Sequence, residues 1–451
     1  MKSLICVVLL ISTVLPSLAY SASYSDYRRL LKKIESNQSL IADDQAFINL
    51  LGEEQFIPEI ALLKSNKNIS AVQTKWLKFA IPNDEIIYDF LEKRITKALE
   101  RNDDAVPPKG GRARHYSWYW GYYGRAAINM YSVTKKRKFL DLASESYARL
   151  LEFRDDRLEL TDDRRDEIVP SWGTLYKNGL RGNEVTTAGL VSLPACEFLQ
   201  VVNNDPELKD IYAEQISYYV KTVNETLSYF FDEMLYNENN GGYFRHKLEN
   251  YLEPFNHSNI YAAALVRCLP FSQDKVKQES VIQAISNYYK QAITVLDNQS
   301  YSWPYSAESR YSWLYFLNPN KKTPKSEAIW KAGVTIELPI AAHHAGIVFD
   351  QNDIDHIANV LLKNVVRDDG KLNRSIGLDG TRTVKDSSAL GFISIWLYIP
   401  DTEEKIRTKI ENIFKQNPEK FPHGWFGGAR SMIMGMTHYL KLNAMKDSKA
   451  I

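Results

Sequence analysis

The chain has 451 residues, of which 44% are hydrophobic and 25% are charged, a composition typical of globular proteins rather than fibrous or disordered ones. Its 56 Lys and Arg residues stand against 55 Asp and Glu residues, which gives a formal net charge of +1 at pH 7. Because the chain lacks the excess of positive charge that collects nucleic-acid phosphates, we expect no nucleic acid among its partners.

The N-terminus has the pattern of a secretory signal. A charged start, Met1-Lys2-Ser3, is followed by an apolar run from Leu4 to Leu15 and by Pro16-Ser17-Leu18-Ala19, which ends in a small residue. The apolar run is shorter than the roughly 20 residues that a membrane span needs. We therefore expect cleavage after Ala19, a periplasmic or secreted protein, and no membrane span in the mature chain.

Two cysteines, Cys196 and Cys268, remain once the predicted signal with Cys6 is removed. Both lie in apolar segments with helical spacing, where a free cysteine behaves as a small buried hydrophobic residue. We expect that role for them, with a single disulfide as the alternative.

Pairs of amphipathic helices are predicted along most of the mature chain, because apolar residues recur with helical spacing and few segments alternate as strands do. One helix is expected to end near Val133-Thr134, and residues 139–151 form the apolar face of the next. The same pairing recurs at residues 184–231, 256–296 and 386–414.

The two helices of each pair differ in composition. The first is rich in Gly, Ala, Ser and aromatic residues, whereas the second is more charged, with one polar face. A helix that is covered on all sides carries little charge, so the first helices are expected to form an inner ring and the second ones an outer ring. This predicts an all-α fold, an (α/α) toroid or incomplete barrel of helical hairpins. An open solenoid of stacked hairpins is the alternative.

The predicted domains follow from this pattern. Residues 20–105 are expected to be an N-terminal helical part of the toroid or a cap on it, and residues 106–451 the catalytic toroid domain. Function is expected in the long polar loops between the helices, which comprise residues 102–115, 154–183, 237–256, 298–310 and 366–385.

The common nucleotide-binding, zinc-protease and serine-hydrolase motifs are absent from the sequence. The adjacent His343 and His344 would point to different sides of a helix and could not easily share one metal ion. We therefore expect a site that works without a metal or cofactor.

Two clusters of aromatic and basic residues favour binding of an acidic sugar, because flat rings stack on sugar faces and guanidinium groups pair with carboxylates. The first cluster contains Arg112, Arg114, His115, Trp118, Trp120 and Tyr123, and the second contains Trp303, Tyr305, Arg310 and Tyr311. The alternative for the first cluster is an aromatic-rich core helix preceded by a solvated basic loop.

Two polar motifs lie at predicted helix N-termini, where free N–H groups and the helix dipole favour an anion. They are Arg181-Gly182-Asn183-Glu184 and Pro254-Phe255-Asn256-His257-Ser258-Asn259. Asn183 or Asn256 could instead cap its helix, and His257 could be a structural histidine. His344, and Trp425 within a glycine-containing segment, are also expected at the cleft.

With these motifs on a series of hairpins over most of residues 115–440, the chain resembles the (α/α)-toroid polysaccharide lyases that act on alginate and related polyuronates. The resemblance rests on residues 181–184, on Phe255-Asn256-His257, and on Tyr305 with Arg310-Tyr311. It implies β-elimination at a uronic acid in a substrate such as alginate or glucuronan. It also implies that Asn183 helps to neutralise the substrate carboxylate, that His257 is a base or carboxylate partner, and that Tyr305 or Tyr311 is the base and acid.

This chemistry is reasonable for the residues themselves. Removing the proton on C5 of a uronate places negative charge on the adjacent carboxylate, which Asn and Arg can stabilise. A base must reach C5 and an acid must protonate the departing O4, which His257 or a tyrosine next to Arg310 could do.

Three other functions remain open on the sequence alone. A glycoside hydrolase on the same fold would use two carboxylates, for which Glu184, Glu337 and Asp386 are the candidates. A uronyl C5-epimerase would share the proton abstraction without losing O4. A non-catalytic glycan-binding protein would use the aromatic residues alone.

Overall fold

The computed structural model describes residues 84–100, 113–176, 179–246, 252–307, 326–367 and 372–377, together with Lys33 and single positions between 396 and 444. The chain divides into two compact units, Met1–Lys93 and Arg94–Ile451. The described part of the first unit is Lys33 and the beginning of helix α1 (Asp84–Glu100). The predicted signal and the predicted domain boundary at residue 105 lie outside the described residues.

The second unit is built from consecutive helix pairs, and the prediction of an all-α fold with an inner and an outer row is confirmed. The inner helices are α2 (Ala113–Thr134), α5 (Val185–Asn203), α8 (Phe255–Cys268), α10 (Ile329–Thr335) and α11 (Glu337–His344). The outer helices are α3 (Lys138–Glu152), α6 (Pro206–Ile211), α7 (Ala213–Ser228), α9 (Lys275–Gln291) and α12 (Gln351–Asn359). A short helix, α4 (Asp155–Leu158), follows the first pair.

Burial explains the division into rows. Nearly every side chain of α5 and α8 is buried, whereas α3 buries one apolar face and exposes the other. Helix α5 is long and apolar enough to cross a membrane, but most of its surface is covered by the protein, so it is a core helix here.

The inner helices run side by side in the same direction. Gly189 of α5 lies so close to α8 that a Cβ atom there would be 2.6 Å from the Cα of Tyr261. Further toward the C-terminal ends of the same two helices, Cys196 and Cys268 form a disulfide with their Cα atoms 5.2 Å apart, within the ordinary range. The predicted free, buried cysteines are therefore wrong in this respect, and the bridge ties two inner helices together. We call the end at which α5 and α8 begin the N-terminal pole.

The inner row curves back on itself, as in an (α/α) toroid. Arg125 of α2 lies 2.5 Å from the carboxylate of Glu337 in α11, although 212 residues separate them. Asn129 of α2 donates a hydrogen bond of 3.4 Å to Thr437, so the first inner helix also contacts the C-terminal part of the chain.

Three short β-hairpins, which the sequence did not predict, each connect an outer helix to the next inner one. They pair β1 (Thr174–Leu175) with β2 (Arg181–Gly182), β3 (Leu235–Tyr236) with β4 (Gly242–Tyr243), and β5 (Thr294–Val295) with β6 (Tyr301–Ser302). Each is closed by the same turn, in which a backbone N–H donates to the carbonyl four residues later. The hairpins therefore belong to a repeating unit of inner helix, outer helix and hairpin.

Several predicted boundaries differ from the structure. In the predicted pair over 184–231, the second helix is interrupted at Tyr212 and ends in a 3₁₀ turn, Tyr229–Glu233. In the predicted pair over 256–296, the second helix ends at Gln291, because the chain then turns into β5. The predicted pair over 386–414 lies almost entirely outside the described residues.

Candidate functional site

The N-terminal pole brings together several of the residues selected from the sequence. Asn183 and Glu184 directly precede α5, and Asn256 and His257 lie in the first turn of α8. The N–H of Phe255 donates to the backbone carbonyl of Tyr305 at 3.1 Å, which fixes the segment after β6 against the start of α8. Loops from three consecutive repeats thus meet at this pole.

Two buried carboxylates organise the first loop. Arg181 makes two hydrogen bonds to Asp155, of 2.9 and 2.5 Å, and the amide nitrogen of Asn183 donates to Asp155 at 3.0 Å and Asp162 at 3.3 Å. Burial alone would raise the pKa of Asp162, but the nearby charge of Arg165 and backbone N–H donors hold it below its usual range. The first loop is therefore a rigid, charge-compensated support for α5.

This support changes the role predicted for Asn183. Carboxylates only accept hydrogen bonds, so the NH₂ group of Asn183 must face Asp155 and Asp162. The remaining atom, Oδ1, is buried without a partner and is itself an acceptor. Asn183 is thus not arranged to neutralise a substrate carboxylate, and Arg181 is already paired with Asp155. The alternative role as a helix cap is wrong too, since Glu184 is the N-cap residue of α5 and Oδ1 of Asn183 accepts no hydrogen bond.

His257 forms a buried pair with a carboxylate that the sequence reasoning did not select. Its Nδ1 lies 2.6 Å from the carboxylate of Glu253, four residues earlier and on the other side of Pro254. A carboxylate at this position holds the proton on Nδ1 and leaves the lone pair on Nε2, which is the arrangement of a histidine general base.

Asn256, next to His257, is completely buried, and neither its amide nitrogen nor its amide oxygen has a hydrogen-bond partner. It does not cap α8, whose N-cap residue is Pro254. A buried polar group without a partner costs about 1–3 kcal/mol, so such groups are rare unless a ligand completes them.

A second cluster joins the first two hairpin loops. The hydroxyl of Tyr176, in the turn after β1, donates to Glu184 and lies 3.1 Å from Nε2 of His246. Nε2 of His246 is in turn 3.5 Å from the same Glu184 oxygen. Sequence reasoning missed Tyr176 and His246, although the polar loops that hold them had been predicted to carry function.

The aromatic residues predicted to bind sugar lie partly in the core. Trp120 and Trp303 are each 1% exposed, and their indole N–H groups donate to the carbonyl of Val191 and to Glu327. Tyr123 is buried as well. Because Trp120 and Trp303 lack an exposed ring face, the expectation that they stack on a sugar is wrong. Trp118 is half-buried and stacks on Tyr122.

Other predicted site residues lie elsewhere or outside the described part. His344 ends α11, and the parallel inner helices place it at the opposite end from the pole, so it does not join this site. Arg114 and His115 lie on α2 rather than in a loop, and nothing is described of their side chains. The remaining predicted site residues are outside the described ranges and comprise Arg112, Arg310, Tyr311, Asp386 and Trp425.

Within the described residues, no group of three His, Cys, Asp or Glu side chains is arranged to hold a metal ion. No family model and no curated protein sequence matches the chain.

Several solved structures share part of its backbone course. A polysaccharide lyase is 11% identical over 80% of this chain and 98% of its own, with a TM-score of 0.45. The unsaturated glucuronyl hydrolase of Bacillus sp. GL1 is 10% identical over 78% and 95%, with a TM-score of 0.42. The cellobiose 2-epimerase of Bacillus thermoamylovorans is 14% identical over 69% and 76%, with a TM-score of 0.40. At such identities the likeness transfers no residue's role to this chain.

Proposed function

We propose that the protein cleaves an acidic, uronate-containing polysaccharide by β-elimination at the N-terminal pole. The observation that carries this proposal is the fully buried, unpartnered amide of Asn256 beside the His257–Glu253 pair. The amide offers N–H donors to an acceptor group such as a carboxylate. It lies in the first turn of a 14-residue helix, whose dipole also favours an anion.

The chemistry of elimination matches these groups. When the proton leaves C5 of a uronate, negative charge grows on the adjacent carboxylate, and a donor already aimed at that position stabilises it. Asn256 takes the role that the sequence analysis gave to Asn183. His257, oriented by Glu253, removes the proton through Nε2.

The hydrolase alternative receives less support from the carboxylates that the sequence offered for it. Glu337 is bound to Arg125 within the inner ring, and Glu184 at the pole accepts a hydrogen bond from Tyr176. A hydrolase needs two carboxyl groups on either side of one glycosidic bond. Glu184 and Glu337 are held in separate hydrogen-bonded groups, which disfavours that use.

The test follows the ultraviolet absorbance of the conjugated C4=C5 uronate while mature protein is incubated with alginate, glucuronan, pectate or glycosaminoglycans in the presence of a chelator. We expect rising absorbance with at least one polymer and a loss of about 100-fold or more in kcat for His257→Gln. The matched control is His356→Gln, because His356 is also buried but bonds to a backbone carbonyl of its own helix, α12.

The other outcomes have distinct meanings. New reducing ends without absorbance would replace elimination by hydrolysis. Binding without either signal would make the protein a glycan-binding protein. Equal activity of wild type and His257→Gln would exclude His257 as the base.

We also propose that the protein acts in the periplasm or outside the cell, as its N-terminal pattern suggests. The Cys196–Cys268 bridge supports this location, because disulfides persist in oxidising compartments. Mass spectrometry of the protein recovered from its natural host should find a chain that begins at Tyr20. An intact N-terminus on a cytoplasmic protein would contradict the proposal.

A further inference from the structure

Tyr176, Glu184 and His246 form a hydrogen-bonded cluster at the pole that has no role in the steps proposed above. Glu184 and His246 are 3% and 4% exposed, whereas Tyr176 is only half-buried. The three side chains come from three separate segments. Tyr176 lies in the turn after β1, Glu184 directly precedes α5, and His246 lies in the segment that follows β4.

The hydrogen bonds of this cluster have a defined direction. The Tyr176 hydroxyl donates to Glu184, so its oxygen can accept a bond from Nε2–H of His246, 3.1 Å away. The same Glu184 oxygen lies 3.5 Å from Nε2 and can also accept a hydrogen bond from its N–H. An N–H aimed at a phenol oxygen stabilises the phenolate that remains when the phenol gives up its proton.

The cluster is also next to the proposed base. Arg245 and Leu252 face each other across an antiparallel bridge, and the N–H of Glu253 donates to the carbonyl of Phe244 at 2.9 Å. Residues two apart on a strand, and residues directly opposite each other, share a face. His246 and Glu253 therefore project from the same face of this ribbon, and Glu253 holds His257.

We propose that Tyr176 is the catalytic acid that protonates the departing O4, with His246 and Glu184 as positioning residues. This inference rests on the proposed elimination. His257 takes the proton from C5, the C–H electron pair becomes the C4=C5 double bond, and the C4–O4 bond breaks with its electrons on O4. The phenol proton of Tyr176 goes to O4. The phenolate accepts a hydrogen bond from the His246 N–H until it regains a proton from solvent. His257 returns to solvent the proton that it took from C5, so no water or cofactor is consumed.

Tyr305 is the competing tyrosine, since it was selected from the sequence and its backbone contacts α8. Its hydroxyl is buried, and its aromatic ring lies 5.8 Å from the ammonium group of Lys331. The half-buried Tyr176 is better placed to meet a polymer that enters from solvent, and the N–H of His246 can stabilise its phenolate once the proton is gone.

The experiment varies the leaving group. One substrate is the polymer that wild type cleaves, and the other is a 4-deoxy-4-fluoro uronoside, whose fluoride leaves without being protonated. We expect Tyr176→Phe to lose about 100-fold or more in kcat on the polymer but to stay within a few-fold of wild type on the fluoride substrate. His257→Gln should lose activity on both, and His246→Gln should show the pattern of Tyr176→Phe in weaker form. A purely structural role of Tyr176 would lower both activities together.

Tyr305→Phe is the matched control and should not discriminate between the two substrates. Equal losses of Tyr176→Phe on both substrates, or fluoride-selective activity in Tyr305→Phe instead, would overturn the assignment. If wild type eliminates from no uronate at all, the proposed function itself fails. If wild type eliminates and Tyr176→Phe does so equally well, only the assignment of Tyr176 fails.

Discussion

Two buried asparagines at the pole differ in what surrounds their amides. The NH₂ group of Asn183 is taken by Asp155 and Asp162, so this residue supports a loop. Asn256 is surrounded by protein, yet neither amide atom is satisfied. The unsatisfied amide of Asn256 therefore makes folding less favourable, and a ligand that forms hydrogen bonds with this amide can recover that free energy on binding.

Replacing Asn256 by leucine, which has a similar shape, should raise the free energy of unfolding by about 1–2 kcal/mol, because two unpaired buried polar atoms are removed. The same replacement should abolish glycan binding, because it removes the amide that contacts the ligand. Chemical denaturation and a binding titration on the same preparation measure the two effects. Asn259 is the control on the same helix, since its amide donates to the carbonyl of Thr335 at 2.9 Å. Asn259→Leu should lower stability, and a destabilised Asn256→Leu would show that its amide is satisfied in the free protein.

Glu327 provides a test of stability against pH. Its side chain is fully buried before α10, and one oxygen accepts from Trp303 at 2.6 Å and Thr335 at 2.8 Å while the other has no partner. Burial raises the pKa of this carboxyl from 4.5 to about 8. The folded protein thus keeps a proton that the unfolded chain releases, so the stability contributed by the neutral carboxyl is complete below pH 4.5 and is lost as pH rises to about 8.

Glu327→Gln keeps an acceptor for Trp303 and Thr335 but cannot ionise. Relative to wild type, this variant should therefore become progressively more stable between pH 5 and pH 8. Denaturant midpoints of both proteins across this interval measure the difference. Parallel curves for the two proteins would mean that Glu327 is ionised in the folded state.

At the scale of elements, the hairpins show what sequence patterns can and cannot reveal. The helices were predictable because their apolar faces repeat over many residues. The hairpin strands are two residues long, which is too short to show an alternation of apolar and polar residues. The turns between them, rather than the strand residues, determine that the hairpins form. In each turn the residue before the accepting carbonyl has a positive φ, but it is Gly179, Asn240 or Gln299, so no common residue marks the position. Since these turns decide where Tyr176 and His246 lie, the second cluster could not be predicted.

The close contact between α5 and α8 predicts how much one added methyl group at Gly189 changes the stability of the protein. A Cβ atom on Gly189 would lie 2.6 Å from backbone atoms of Tyr261, which can move away only if the helices separate. We expect Gly189→Ala to lower the free energy of unfolding by about 1–3 kcal/mol, as overpacking of a core does. The control is Gly121→Ala on α2, where the nearest atom would be 3.3 Å away and the effect should be smaller. Equal stabilities by denaturant unfolding would show that the two helices can part without cost.

For the whole molecule, the inner and outer rows could be predicted because a helix covered on all sides must carry little charge, a property of each segment by itself. Closure of the ring depends on pairs such as Arg125 with Glu337 and Asn129 with Thr437, separated by 212 and 308 residues. Periodicity within a segment carries no information about such pairs. The His257–Glu253 pair was missed for a different reason, because Pro254 between the two residues hides their helical spacing.

The disulfide between the two inner helices closes a long loop, since Cys196 and Cys268 are 72 residues apart. By the loop-entropy relation, its loss should cost about 4 kcal/mol of unfolding free energy. Guanidinium unfolding of the oxidised protein should therefore have a clearly higher midpoint than that of the Cys196→Ala/Cys268→Ala variant. Wild type unfolded and refolded in reductant is the control and should approach the variant, because most of the effect lies in the unfolded chain. As both sulfurs are buried, the folded oxidised protein should also resist reductant until it unfolds. Two results together would contradict this prediction: reductant leaves the unfolding midpoint unchanged, and both thiols can be alkylated after denaturation without reductant. They would mean that the two inner helices are held together by packing alone.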